Sequence, residues 1–311
     1  MPSAARLKWQ RRREKVLARL DRMLGSPWLR WHFRQKVGYW PHLRHPRSHN
    51  EKIQARKLYD RNPLFPMLSD KIAVRDHVRN VLGEERAEQV LLPLLGQTGR
   101  PTEAWLRALG RGVVVKANHG SGWNELIRDD GSAVNYWLLA RKLQGWCQRR
   151  YGQRNQEWAY WSIRPRILAE PMLCYPNGRA ADDFKFSVNG GRATTVQVQR
   201  DRFGNHEQAY FDRDWNRLPM QMEKLPAMPD TPPAPAQLAE MIVVAEAVAA
   251  MLDYARVDFL VTDTRFVLNE ITLYRSSGFN AFIPEEWDFI WGAQWPMQMV
   301  RPKGWFRRWW S

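Results

Sequence analysis

Apolar residues recur at two different spacings along this chain, and the spacing predicts which element each stretch forms. Over residues 6 to 24, Trp9, Val16, Leu17, Leu20, Met23 and Leu24 share one stripe of a helix, while Arg11, Arg12, Lys15, Arg19 and Arg22 lie largely elsewhere. Ser48-His49-Asn50-Glu51 has the form of a capping box and starts a helix carrying Ile53, Leu58 and Tyr59, which Pro63 and Pro66 break. Ser69 or Asp70 caps a third helix through Val81, closed by Gly83. Residues 91–95 are an apolar run, and Thr102 caps a short helix ending near Gly110. The β-branched triplet Val113, Val114 and Val115 predicts a short buried strand, with residues 125–128 as its hairpin partner. Asp130-Gly131 then turns the chain into a helix reaching about Arg150.

The aromatic stretch 158–162 fits neither spacing. Residues 166–173, RILAEPML, read as a strand interrupted at Pro171. Residues 182–188 and 192–199 form a hairpin around Asn189-Gly190-Gly191. The proline-rich segment 225–235 reads as a linker, followed by an alanine-rich helix over 236–252. Two last strands, 255–261 and 265–271, are joined by Thr262-Asp263-Thr264. No internal repeat is visible. Helices, a small antiparallel unit, then strands with a packing helix make an α+β pattern, not alternating βα units.

Composition adds little to this picture, but charge changes it. An apolar fraction of 44% over 311 residues is globular, with length for one large domain or several lobes. No stretch of about 18 uncharged apolar residues exists, and the N-terminus lacks the apolar centre of a secretory signal. Cys147 and Cys174 give neither a disulfide framework nor a metal spacing, so a cytoplasmic protein is expected. The net charge of +16 sits at the ends: residues 1–60 hold 16 Lys+Arg against Glu14, Asp21, Glu51 and Asp60, and 301–311 add four cations with no acid. In that tail Trp305, Phe306, Trp309 and Trp310 stand among the cations. Basic amphipathic and tryptophan-rich ends suggest first an anionic membrane surface, second docking on the chain's own body, and third nucleic acid.

Candidate chemistry lies in the neutral middle. Lys116 leaves the valine strand directly into His119-Gly120-Ser121-Gly122, a turn whose backbone amides could cradle an anion. The spacing is neither that of a P-loop nor that of a Rossmann turn, and a hairpin shaped by its glycines fits equally. Lys71 and Arg75, one helical turn apart, could share a phosphate or simply be solvated. Asp258 and Glu270 sit on adjacent late strands within apolar flanks, and such oxygens are hard ligands suited to Mg²⁺. Arg256 shares the face of Asp258. A buried salt bridge among Arg256, Asp258 and Glu270 accounts for the same three residues.

Taken together, the blocks resemble the ATP-grasp superfamily and, more closely, the TupA-like ATP-grasp family of polysaccharide biosynthesis. The similar segments are HNEKIQARKLYDRNPLFPMLSDKIAVRDHV, VVVKANHGSGW, PRILAEPML, DDFKFSVNGG, YFDRDWN, ARVDFL and NEITLYRSSGF with IPEEWD, covering roughly residues 46–297. The resemblance implies two α+β lobes with ATP between them, preceded by the basic amphipathic segment 1–45. It divides the chain into a helical part 46–112, a small antiparallel lid lobe 113–173, a C-terminal lobe 174–300 with the metal site, and the tail 301–311. It also implies roles. Lys71 and Lys116 would contact the α- and β-phosphates, and His119, Gly120, Ser121 and Gly122 would close over the β- and γ-phosphates. Glu170, Pro171, Met172 and Leu173 would be the adenine hinge, with Asp183 near the ribose and Lys185 toward the phosphates. Asp258 and Glu270 would bind Mg²⁺, and Arg256 would steady the transferred phosphoryl group.

The chain departs from the superfamily in having Glu270-Ile271-Thr272 where Glu-x-Asn is common, and Asn269 where a small residue is common, which favours one metal ion over two. The part ahead of Lys71 is short. The activity implied is that of an ATP-dependent carboxylate–amine ligase acting through an acyl phosphate, on a cell-surface glycan or its lipid-linked precursor. Such work suits a peripheral position at the inner face of the plasma membrane. A kinase on the same fold, and a non-catalytic ATP-binding scaffold at the membrane, are the alternatives; a nucleic-acid partner is not expected.

Overall fold

The computed structural model describes residues 16–300 apart from 18, 19, 22, 223 and 224. Most of the amphipathic helix expected over 6–24, and the tail 301–311, lie outside the described residues. Helix α1 (Pro27–Val37) buries Leu29, Phe33 and Val37 and ends at Gly38 in a left-handed conformation. Helix α2 (His49–Tyr59) carries the expected capping box in full. Its glutamate does more than cap, because Glu51 also accepts the backbone N–H groups of His42 and Arg47, both at 2.7 Å, and so pins the incoming chain. On another stripe of α2, Asn50, Gln54 and Lys57 donate to the backbone carbonyls of Asn280, of Ser277 and Gly278, and of Ser277. This i, i+4, i+7 row holds a distant loop through its carbonyls.

Pro66 does not break a helix. It sits in the first turn of short α3 (Phe65–Ser69), where a missing N–H costs nothing. Helix α4 (Val74–Leu82) starts later than its sequence suggests, after a turn in which Asp70 accepts the N–H of Ile72, so Lys71 lies on that turn and not on the helix. Helix α5 (Glu84–Val90) follows Gly83.

A four-stranded antiparallel sheet comes next, built from β1 (Gly96–Thr98), β2 (Val113–Ala117), β3 (Asn124–Ile127) and β4 (Ile167–Pro171) in the order β1-β4-β2-β3. The edge strand β1 means that this sheet draws on chain before residue 113. Helices α6 (Glu103–Ala108) and α7 (Tyr136–Cys147) cover one face and bury Val113, Val115 and Ala117 with Ile167 and Ala169. Strand alternation therefore turns Val114 and Lys116 to the opposite face. Between α7 and β4 the aromatic stretch makes a 3₁₀ turn, Trp158–Tyr160, with Trp158 stacked on Phe65.

The larger sheet is also antiparallel, with β5 (Asp182–Asn189), β6 (Arg192–Arg200), β7 (Glu207–Asp212), β9 (Tyr254–Val261) and β10 (Phe266–Thr272) in the order β10-β9-β5-β6-β7. Gly190 and Gly191, both at positive φ, make the tight β5–β6 turn. Short strands β8 (Gln221–Met222) and β11 (Phe282–Ile283) pair with each other, and α9 (Glu286–Gln294) closes the fold. Helix α8 (Leu238–Ala249) packs on one face of the large sheet over Phe184, Phe186, Val257 and Phe259. Residues 225–235 are not a linker. Gln208 donates its N–H to Pro226 and accepts that of Met228, which fastens the segment to β7 as a strap.

One irregularity decides what the other face of this sheet presents. Phe266 and Leu268 on β10 point into the core, so strict alternation would send Glu270 there as well. A β-bulge between Leu268 and Glu270 resets the phase: Ile271 returns to the core, and Asn269 and Glu270 both face away from it. Glu270 then stands directly opposite Asp258, which in turn pairs with Lys185. Because Glu51 satisfies several buried N–H groups, Glu51→Ala should lower unfolding free energy by about 2–4 kcal/mol, against about 1 kcal/mol for Ser48→Ala. Urea unfolding of the two variants measures this difference.

Candidate active site

The face left bare on each sheet looks into one shared cleft. Val114, Leu126, Met172 and Leu260 give it apolar walls, and Pro171, Leu173, Lys116, Asp183 and Asn269 also line it. Lys116 reaches across from the small sheet: its Nζ donates to Glu170 Oε2 at 2.8 Å and to Asn269 Oδ1 at 2.9 Å on the large sheet. Lys71 spans the same gap, with Nζ 2.8 Å from Glu270 Oε2 and 3.0 Å from the carbonyl of Gly120 in the β2–β3 turn. Two lysines from separate elements thus converge on the bulge of β10.

Behind this pair lies a compact ion network. Arg256 grips both oxygens of Asp258, Nε at 2.7 Å and a terminal nitrogen at 2.6 Å, and also donates to Thr272, which in turn donates to Glu270. Burial alone would raise the Glu270 carboxyl, but Lys71 and Arg256 outweigh it and hold it well below the ordinary carboxylate range. Asp258 goes the other way: burial lifts it, and Arg256 only partly compensates. Burial likewise lowers Lys185, whose neighbours are Asp183 and Asp258, while its Nζ donates to Gln199.

The remaining residues singled out from sequence divide. Pro171, Met172, Leu173 and Asp183 line the cleft, and Arg202 holds the Asp183 carboxylate at 3.3 Å. The Glu170 side chain is clamped between Lys116 and Arg75. Arg75 is buried, not solvated, with Glu170 and the Leu92 carbonyl as its partners. His119 is an anchor of its turn: it is buried, and its Nε2 lies 3.3 and 3.2 Å from the carbonyls of Trp146 and Arg149. Gly120 fits between Trp123 and Tyr151, where a Cβ would come within 3.1 Å of both rings, while Gly122 at positive φ has open space around it. The turn is therefore held at one end and free at the other, with Ser121 exposed.

Sequence reasoning passed over Asn269 as a contact for Lys116, because nothing in LNEIT announces a bulge. It also missed two buried charged groups that feel each other's field without a direct ion pair. Glu157 and Lys57 are both almost fully buried, and burial pushes the carboxyl up and the ammonium down, each to about 7. Lys57 donates to the Ser277 carbonyl at 2.7 Å, within a loop where Ser276, Ser277 and Gly278 all have positive φ.

A search of sequence families adds one match. The family model described as TupA-like ATPgrasp matches residues 51–295. The chain belongs to this family. The ATP-grasp fold, two α+β units facing each other across a cleft, is the one seen here. No curated protein matches the chain. Among solved structures, D-alanine–D-alanine ligase from Bacillus anthracis is similar over 72% of this chain and 63% of its own, at 17% identity and a TM-score of 0.41. D-cycloserine synthetase DcsG matches over 68% and 64%, at 13% identity and a TM-score of 0.40. The ATP-grasp ligase PsnB, complexed with a precursor variant, Mg and ADP, matches over 75% and 60%, at 12% identity and a TM-score of 0.38. The chain thus spans about three fifths of the length of these structures.

The Lys57–Glu157 pair gives a test of how tightly the site's surroundings are tuned. Glu157→Gln removes the carboxylate whose field favours the charged Lys57 and should cost about 1–3 kcal/mol, whereas Lys57→Met/Glu157→Gln should recover much of that loss. Denaturant unfolding of Glu157→Gln, of Lys57→Met and of the double variant reads the coupling.

Proposed function

We propose that the protein is an ATP-dependent carboxylate–amine ligase that works through an acyl phosphate. The observation that carries this reading is the convergence of Lys71 and Lys116 on Glu270 and Asn269 across one cleft. Lysines that reach from the small-sheet side to one carboxylate and one amide on the large sheet are poised to exchange those cross-cleft partners for phosphate oxygens. In this reading Lys71 and Lys116 bind the α- and β-phosphates, and the Gly120-Ser121-Gly122 end of the turn closes over the outer phosphates. Pro171, Met172 and Leu173 with the apolar walls receive the base, and Asp183 lies toward the ribose.

Asp258 and Glu270 suit a divalent cation. They are opposed on neighbouring strands, and such a pair fits Mg²⁺, which takes a few carboxylates and completes its shell with phosphates and water. When bound, the ion would neutralise charge on the phosphate oxygens. The chain's own residues do the rest: Lys185 and Arg256 stand beside the two carboxylates, where Arg256 can steady the phosphoryl group in transfer. The substrate carboxylate displaces ADP from the γ-phosphorus, and the amine then displaces phosphate from the acyl carbon and loses a proton. As acceptor we favour a cell-surface polysaccharide or its lipid-linked precursor, the substrate class to which the family resemblance points.

Incubation with Mg-ATP, amino acids and uronate-bearing acceptors tests the reading. Free phosphate should appear together with an amide, and Asp258→Asn should lower turnover by about 10²–10³-fold while the fold persists. A stable phosphorylated product would replace the ligase with a kinase. ATP binding with no turnover over the whole panel would overturn both. Lys116→Met should weaken ATP binding by about tenfold or more, the order of one charge-assisted hydrogen bond, as measured by titration calorimetry.

A further inference from the structure

The N-terminal region presents a surface that the proposed chemistry does not use. Val16, Leu17, Leu20, Met23 and Leu24 are exposed, Leu24 at 74%. Helix α1 then docks by one face only. Leu29 packs with Leu43 and Leu58, while Trp28 and Trp31 stay outside, and Trp40 beyond the helix is half exposed. Docking on the body therefore accounts for one side of α1 and leaves an apolar, tryptophan-bearing side uncovered among the described residues.

Charge selects the partner. Residues 16–47 contain seven Lys and Arg against the single acid Asp21. Arg34 and Lys36 are exposed beside the tryptophans, and the Arg34 guanidinium lies 5.0 Å from the Trp40 ring centre. Apolar side chains with indoles at their edge and cations around them match a bilayer interface with anionic headgroups, where indole sits at headgroup depth and each nearby cation is attracted. Single-stranded nucleic acid would use the cations but leave the aliphatic row of residues 16–24 in water.

Position ties this surface to the cleft. Trp28 stacks on His32 at 5.1 Å, His32 meets the edge of Phe279 at 4.7 Å, and Lys57 Nζ lies 4.5 Å from the Phe279 ring centre. Lys57 in turn holds Ser277, in the loop that directly follows the strand bearing Glu270. We infer that residues 16–40 form a docking face for an anionic lipid bilayer, which brings the acceptor end of the cleft to the membrane surface. The docking stands on its own observations; its purpose rests on the lipid-linked acceptor proposed above.

The full chain is sedimented with vesicles of equimolar phosphatidylcholine and phosphatidylserine, and with phosphatidylcholine alone. Two variants confined to exposed positions, Leu24→Gln/Trp31→Ala and Arg34→Glu/Lys36→Glu, are compared, with ATP binding measured in the same samples. The unaltered chain should sediment with the anionic vesicles only. Each variant should lower its partition by about tenfold or more with ATP binding unchanged, and salt near 1 M should weaken what remains. Absence of vesicle binding, binding that both variants retain, or retention by a short single-stranded RNA in place of vesicles would each overturn the docking face. Vesicle binding by a chain that does not bind ATP would instead sink the ligase reading and leave the docking intact.

Discussion

The arrangement depends on one irregular residue step in β10. The bulge at Asn269 lets two consecutive side chains leave the core face of the large sheet, one to meet Lys116 and the next to meet Lys71. Without it, period-two alternation would bury Glu270 among Phe266, Leu268 and the aromatic rings beneath them, an expensive place for a carboxylate. Every cross-cleft contact of the two lysines on the large sheet passes through this step. A strand that is locally mispaired is thus the joint between the lobes.

Electrostatics around that joint are close to balanced. Lys71 faces Glu270, Lys116 and Arg75 share Glu170, and Arg256 spans Asp258. Buried ion pairs contribute little net stability, since desolvation cancels most of the attraction. In the proposed reading their value is placement, each charge being held where a triphosphate and a cation would find it. Exchange of partners is then inexpensive: a phosphate oxygen that takes Lys71 from Glu270 leaves a carboxylate available to a cation, and total charge in the cleft changes little. The depressed Glu270 carboxyl fits this role, because Lys71 and Arg256 hold it ionised in the absence of nucleotide.

Much of this was legible in the chain. The capping box at Ser48 and Glu51, the valine strand leading to Lys116, the Gly190-Gly191 turn and the alternation of ARVDFLV each appear where local chemistry puts them, because each is decided within a few residues. The α+β order followed from the same signals. What escaped reading depends on distant partners. The three-residue edge strand β1 has no apolar alternation and exists only because β4 pairs with it. The strap after Pro226 looks like a linker until Gln208 fastens it. His119 suits a phosphate loop by its neighbours in sequence, yet two carbonyls at the end of α7 draw it inward. The buried Lys57–Glu157 pair joins residues a hundred positions apart, and no local pattern marks either one.

On the proposed reading, the cleft exchanges its internal ion pairs for a magnesium-bound triphosphate. The most direct measurement is a crystal structure of the chain with Mg²⁺ and a non-hydrolysable ATP analogue. Lys71 and Lys116 should lie on phosphate oxygens, with Glu270 released to the metal beside Asp258. A nucleotide bound elsewhere, or one in the cleft with the Lys71–Glu270 and Lys116–Asn269 contacts unchanged, would contradict it.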